Sequence, residues 1–231
     1  YEIGDIPDRL EIISVLKEVA DFRRRHDIRL SFHPDQFVVL SSPHAHVVDI
    51  SVRELDYQAA LSEIVGADVI NVHVGGTYGD RNAALKRFAS NFRKLSGPAR
   101  KRLTLENDDV SYTPSNIRSL CEGLGIPLVY DVHHHRCNPD GMSVGEATRL
   151  CVETWRGSGR EPYFHISSPK GGWDAADPRR HADFVDASDF PEEWRRLHQG
   201  FTLDVEAKAK EKAVVRLMRQ VNCQYPTLDS A

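Results

Sequence analysis

Six short apolar runs, separated by helical stretches, constrain this chain more than any other feature of its sequence. They are IRLSF (28–32), DVINV (68–72), RLTL (102–105), LVYD (128–131), YFHI (163–166) and FTLDV (201–205). Each is too short for a helix and rich in Val, Ile, Leu or aromatic residues, so each reads as a buried strand. Helical spacing marks 7–25, 47–65 (ending at Gly66), 81–95 (before Gly97-Pro98) and 207–221. Thr113-Pro114 opens a further helix as N-cap and N1, and Ser143 caps another. Strands recurring about every 25–40 residues with helices between them are βαβ units, which build a parallel sheet. The expected fold is α/β, a TIM-type (β/α)8 barrel forming a single domain over 1–231, because no linker or composition break divides the chain. Only six runs are present, and the chain begins inside a helix. Either the sheet is open or the first strands of the barrel are missing from an N-terminally truncated chain; the second is the expectation.

Composition excludes several classes. No apolar run approaches the roughly 20 residues of a membrane span, and the opening YEIGDIPDRL has no apolar core of a signal peptide, so a cytoplasmic, non-membrane protein is expected. Cys121, Cys137, Cys151 and Cys223 lie far apart without a CxxC, as reduced thiols would. Thirty Lys and Arg against 34 Asp and Glu give a net charge of −4. That argues against a nucleic-acid coat protein but not against a nucleic-acid enzyme that brings its own cations.

The residues at the strand ends carry the chemistry. The six runs end at His33, His73, Glu106, Asp131, His165 and Glu206. In parallel α/β barrels that end is the active-site face. Imidazole and carboxylate together suit a divalent transition metal such as Zn or Mn, whereas Mg prefers oxygen alone. A lone strand-end histidine is more often a satisfied loop residue, but six strands yielding six ligand types is a pattern. His134, three residues after Asp131, and His181, in the long loop 167–189, extend the set; each alone also reads as a surface histidine.

The segments HPDQF (33–37), NVHVGG (71–76), LENDD (105–109), YDVHHH (130–135), FHISS (164–168), RRHADF (179–184) and DVEAKAKEKAV (204–214) together resemble the UV damage endonuclease family, which is related to endonuclease IV. The resemblance implies an eight-stranded barrel with two or three divalent ions, typically Mn, with Zn or Co as alternatives. It implies cleavage 5′ to a UV photoproduct in double-stranded DNA, leaving a 3′-hydroxyl and a 5′-phosphate. By motif, His33, His73 and Glu106 correspond to ligands of one metal. Glu106 would bridge to a second held by Asp131, His165 and Glu206, and His134 with His181 would serve a third. Glu106, His73, Asp131 and Glu206 are the implied catalytic set. Gln36 and Phe37 stand where the family carries Gln and Tyr that probe the lesion. Two departures are evident: Tyr163 stands where the family has a Lys, and the family's earlier first strands are absent here.

Paired divalent ions help phosphodiester hydrolysis by activating water and neutralising the leaving oxygen. Histidine ligands must be neutral, so activity should fall below about pH 6–7. Asn107, Asp108 and Asp109 are candidates to orient the imidazoles. Lys170, Gly171, Gly172, Trp173, Arg179 and Arg180 offer amides, cations and a ring to DNA, or form an ordinary surface loop. Phe37 either wedges into the duplex or packs beneath its loop. A monomer is expected. Two other readings stay open: a divalent-metal sugar isomerase or epimerase on the same barrel, and a non-catalytic damage-binding relative.

Overall fold

A computed structural model describes residues 3–224, with side chains through residue 221. The chain falls into two compact units: Tyr1–Glu106 with Ile117–Pro127, and Asn107–Asn116 with Leu128–Ala231.

The first unit contains α1 (Arg9–Arg25), β1 (Ser31–Phe32), α2 (Ala45–Val65), β2 (Val69–His73), α3 (Arg81–Phe92), α4 (Gly97–Arg102) and β3 (Leu103–Glu106), together with most of α5 (Pro114–Leu124). Its strands are parallel in chain order, with Ser31 opposite Val69 and Ile70 opposite Leu103. Val69, Ile70, Leu103 and Leu105 are fully buried, as are Leu55 and Ala59 of α2 and Ala84 and Phe88 of α3. β2 and β3 are buried along almost their whole length, polar Asn71, Thr104 and Glu106 included, so burial here does not follow an alternation of apolar and polar residues.

Most boundaries shift by a few residues from expectation, and two of the differences have a visible cause. The first strand holds two residues instead of five, because Ile28 is engaged by the end of α1: its amide bonds to Arg23 O and its carbonyl accepts from the Arg23 guanidinium. Gly97-Pro98 does not merely stop a helix. Ser96 Oγ accepts from Ala99 N, so the pair opens α4, with proline in a first turn that has no amide partner to lose. Gly66 ends α2 as expected, in a left-handed conformation (φ 76°).

The second unit contains β4 (Leu128–Asp131), α6 (Val132–Cys137), α7 (Val144–Trp155), β5 (Tyr163–Ile166), α8 (Glu192–Arg195), β6 (Thr202–Val205) and α9 (Glu211–Gln224). These strands are also parallel in chain order, with Asp131 opposite His165 and Phe164 opposite Leu203. Ser143 and Glu146 form a reciprocal capping box on α7. Thr113 and Asn116 exchange backbone-to-side-chain bonds at the start of α5. Parallel strands in chain order with a helix between neighbours are the α/β pattern of the TIM-barrel class.

Among the described residues no helix is long and apolar enough to cross a membrane. Cys121 and Cys151 are buried and Cys137 half-buried, all three as free thiols; the side chain of Cys223 lies outside the described residues. Burial, then the nearby Glu122 charge, pushes the Cys121 thiol up to about 12, so it stays protonated and unreactive.

Candidate metal centre

Parallel register sets the first group of ligand types side by side. His73 ends β2 and Glu106 ends β3, and the two are partners on one rung of the ladder. His33 follows β1 directly. Glu106 is fully buried, and its Oε2 lies 3.2 Å from His33 Nε2 and 3.8 Å from His73 Nε2. Asn71 Nδ2 donates to the same oxygen at 2.5 Å, and Asn71 is itself held by Thr104 Oγ1. His33 Nδ1 sits 3.2 Å from Pro34 O. A ring that donates Nδ1–H to that carbonyl presents the lone pair of Nε2 to a carboxylate oxygen. Two acceptors so placed repel unless a proton or a cation sits between them, so the donor set fits a divalent ion.

The second unit carries a second group. Asp131 closes β4 and N-caps α6, its Oδ1 accepting from His134 N at 2.8 Å. The spacing Asp131-x-x-His134 is thus a capping geometry that also turns the imidazole back toward the carboxylate, with His134 Nδ1 3.5 Å from Asp131 Oδ2. That Oδ2 is buried and takes no hydrogen bond among the described residues. A buried carboxylate oxygen left in this way is costly unless a cation meets it. His165 Nδ1 is 3.0 Å from Glu206 Oε1, and His181 Nδ1 is 3.7 Å from Glu206 Oε2. His134, His181 and Glu206 each offer a ligand atom within 4.8 Å of the others.

Asn107 does what its place beside Glu106 invited. Its side chain brackets the backbone of Asp131 at 2.9 and 3.0 Å, and its carbonyl faces His134 Nδ1 at 3.1 Å. Asp108 instead caps its own turn, accepting from the amides of Val110, Ser111 and Tyr112.

The three consecutive histidines of α6 face three different surroundings. His133 is buried against Trp173 and His181, at ring separations of 5.2 Å each. Burial holds its pKa below the ordinary value, against the opposing pull of Asp131. His134 joins the ligand group. His135 lies between the Tyr130 hydroxyl (2.8 Å from Nδ1) and Asp140 Oδ1 (2.9 Å from Nε2). Burial alone would raise the Asp140 carboxyl, but bonds from Ser115, His135 and Met142 outweigh it and hold it well below the usual range. A carboxyl whose folded pKa lies below its ordinary ~3.9 contributes its full stabilisation above that value. The contribution is lost as pH falls through the folded value. Asp140→Asn is therefore expected to cost about 1–3 kcal/mol in urea unfolding at pH 7, with the gap to wild type narrowing below pH 4. A gap independent of pH would contradict an ionised Asp140.

The expected DNA contacts divide by surroundings. Gln36 and Phe37 are exposed on a turn that Asp35 Oδ1 closes by accepting from Phe37 N, and Phe37 is 76% exposed rather than packed beneath the loop. The long loop folds back on itself, with Pro169 bridging His181 and Lys170 N donating to Arg180 O. Trp173 is held by Asp189, which accepts from its indole N–H at 2.8 Å, and by the Arg136 guanidinium over its ring. Lys170 and Arg180 are exposed, while Arg179 pairs with Asp177. Tyr163, in place of the Lys of the resembling family, donates its hydroxyl to Asp204 at 3.2 Å.

Asn71 escaped sequence reasoning. Its signal was a polar residue in the middle of an apolar strand, where only a buried partner explains it.

A family profile described as UV-endonuclease UvdE matches residues 8–228. Among curated proteins the chain is similar to the UV DNA damage endonuclease of Bacillus velezensis, 37% identical over 212 residues, 89% of this chain and 65% of that protein. The chain thus spans just under two thirds of that relative's length. Among solved structures it is similar to SacUVDE, with 30% identity and a TM-score of 0.83 over 93% of this chain and 72% of that one. The 3-keto-D-glucoside 4-epimerase of E. coli aligns at a TM-score of 0.66 with 12% identity, over 90% of this chain and 85% of that one. A likeness that distant shows the fold alone.

Proposed function

The chain belongs to the UV-endonuclease UvdE family, and from that premise we propose that it is a metal-dependent DNA-repair nuclease acting on ultraviolet-damaged duplex DNA. The observation that carries this reading is the gathering of neutral-nitrogen and carboxylate donors at the C-terminal strand ends of both units. His33, His73 and Glu106 would hold divalent metal in the first unit. Asp131, His134, His165, His181 and Glu206 would do so in the second. Mixed nitrogen and oxygen donors suit Zn, Co or Mn, and Mn is the ion that the family resemblance implies. Two or three such ions would supply water activation and charge neutralisation at the leaving 3′ oxygen.

The chain's own groups set up that chemistry. Asn71 fixes the Glu106 carboxylate, and the Asn107 carbonyl fixes the His134 ring by taking its Nδ1–H. Gln36 and Phe37 would enter the duplex at the lesion, where damaged bases stack poorly and cost less to displace. Lys170, Trp173, Arg179 and Arg180 would meet the backbone and a displaced base. The cut would fall 5′ to the photoproduct and leave a 3′-hydroxyl and a 5′-phosphate. The enzyme would work as a cytoplasmic monomer.

Supercoiled plasmid, irradiated or not, incubated with the full protein and Mn tests the reading. Nicks are expected in the irradiated plasmid alone, with ends that ligase reseals. The proposal fails if both plasmids stay intact, or if both are cut equally.

A further inference from the structure

The geometry points to Tyr78 as a further aromatic contact to DNA, in addition to Phe37 and Trp173; this rests on the nuclease reading above. Tyr78 lies in the loop that leaves β2 five residues after His73. Its backbone is left-handed, with φ 51°. For a bulky residue that conformation is an outlier, kept only where the surroundings over-determine it. The residue is 45% exposed, so burial is not what holds it there.

The surroundings explain how the loop is fixed. Gly75 has φ 98°, and a Cβ there would come within 2.7 Å of Val39 Cγ1, so the loop leaves the strand pressed against the loop that follows β1. Side chains stitch the two loops together: Ser41 Oγ donates to Val74 O at 2.6 Å, and Arg87 Nε donates to Ser41 O at 2.7 Å. The Arg87 guanidinium lies 5.5 Å from the Tyr78 ring centroid. Its Nη2 is buried and has no hydrogen-bond acceptor among the described residues. One face of the ring therefore covers a cation, an attractive arrangement that also orients it. Gly76 also lies against the ring, where a Cβ would stand 3.6 Å from Cζ, and the rest of the residue is open to solvent, in a loop tied to the one that carries Gln36 and Phe37.

A rigid, half-exposed ring backed by a guanidinium is a stacking platform. Bases offer π-faces of any sequence, and stacking on such a ring contributes without reading sequence. A ring that served only the fold would be buried, and a loop with no need of it would carry glycine at this φ, as it does at Gly79 (φ 83°).

That contrast supplies the test. Tyr78→Gly removes the ring and relieves the backbone, so the two roles move in opposite directions. In the full protein, Tm is expected to hold or rise. Affinity for a duplex carrying a photoproduct, measured by fluorescence anisotropy, should weaken by roughly 5- to 100-fold. Tyr78→Phe should keep most of the affinity, because stacking needs the ring and not the hydroxyl. Unchanged affinity in Tyr78→Gly, a fall in Tm that accompanies weaker binding, or an equal loss in Tyr78→Phe would each overturn the inference. If wild type itself binds neither damaged nor intact duplex, the nuclease reading falls with it. Binding by wild type that the glycine variant matches defeats this inference alone.

Discussion

Glu106→Gln is expected to lower the nicking rate on irradiated plasmid by roughly 10³-fold or more without lowering Tm. Glu106 is the point toward which the first unit's donors turn: its Oε2 meets His33 Nε2, His73 Nε2 and Asn71 Nδ2. Glutamine keeps the shape and leaves an oxygen for Asn71, but it removes the charge that a divalent ion needs opposite two neutral imidazoles. The fold should not suffer. A fully buried carboxylate is expensive to hold, and replacing it by a neutral isostere removes that cost. Bound metal should fall in the same variant, by elemental analysis after gel filtration. Asn71→Ala serves as the graded companion: it leaves the ligands in place and frees the carboxylate to turn, so metal affinity should drop by about 10–100-fold. Full activity in Glu106→Gln with undiminished metal would remove this residue from the centre.

β2, β3, β4 and β5 were legible because buried strands are short and mainly apolar, and the ligand types were legible because they stand where those runs stop. His73 and Glu106 illustrate the gain from register, since parallel pairing turns two distant strand ends into adjacent side chains. What was not legible depends on rotation and on reach. The run His133-His134-His135 reads as three equal residues, but a short helix turns successive side chains by about 100°. One meets Trp173, one the ligand group and one Asp140. The helix α6 itself was missed, because six residues are too few for a period to register. Asn71 was missed because its partner is 35 residues away. The two-residue length of β1 was hidden in Arg23, in the last turn of α1, which holds Ile28 through both its amide and its carbonyl.

The same limit on short elements concealed α8, and with it the residue whose loss should damage the second unit most. Trp194 sits on that four-residue helix and is 1% exposed. Its indole stacks on Phe164 at 4.8 Å with the rings 13° from parallel, and Tyr130, Phe190 and Phe201 close around it. Its N–H donates to Thr148 Oγ1 at 2.9 Å. Trp194→Ala removes a large buried surface and leaves a cavity between rings that cannot collapse, at a cost of about 3–5 kcal/mol. For a chain of this size that is a fall in Tm of roughly 6–20 °C, a large share of a domain's usual stability. The consequence reaches the proposed ligands through strand alternation. Tyr130 and Phe164 precede Asp131 and His165, and successive side chains of a strand point to opposite faces. Trp194→Phe, which keeps a ring against Phe164 and forfeits the bond to Thr148, should recover more than half of the loss. If calorimetry finds alanine within 2 °C of wild type, the indole does not hold these strands in place, and the alignment of Asp131 with His165 must come from the ladder alone.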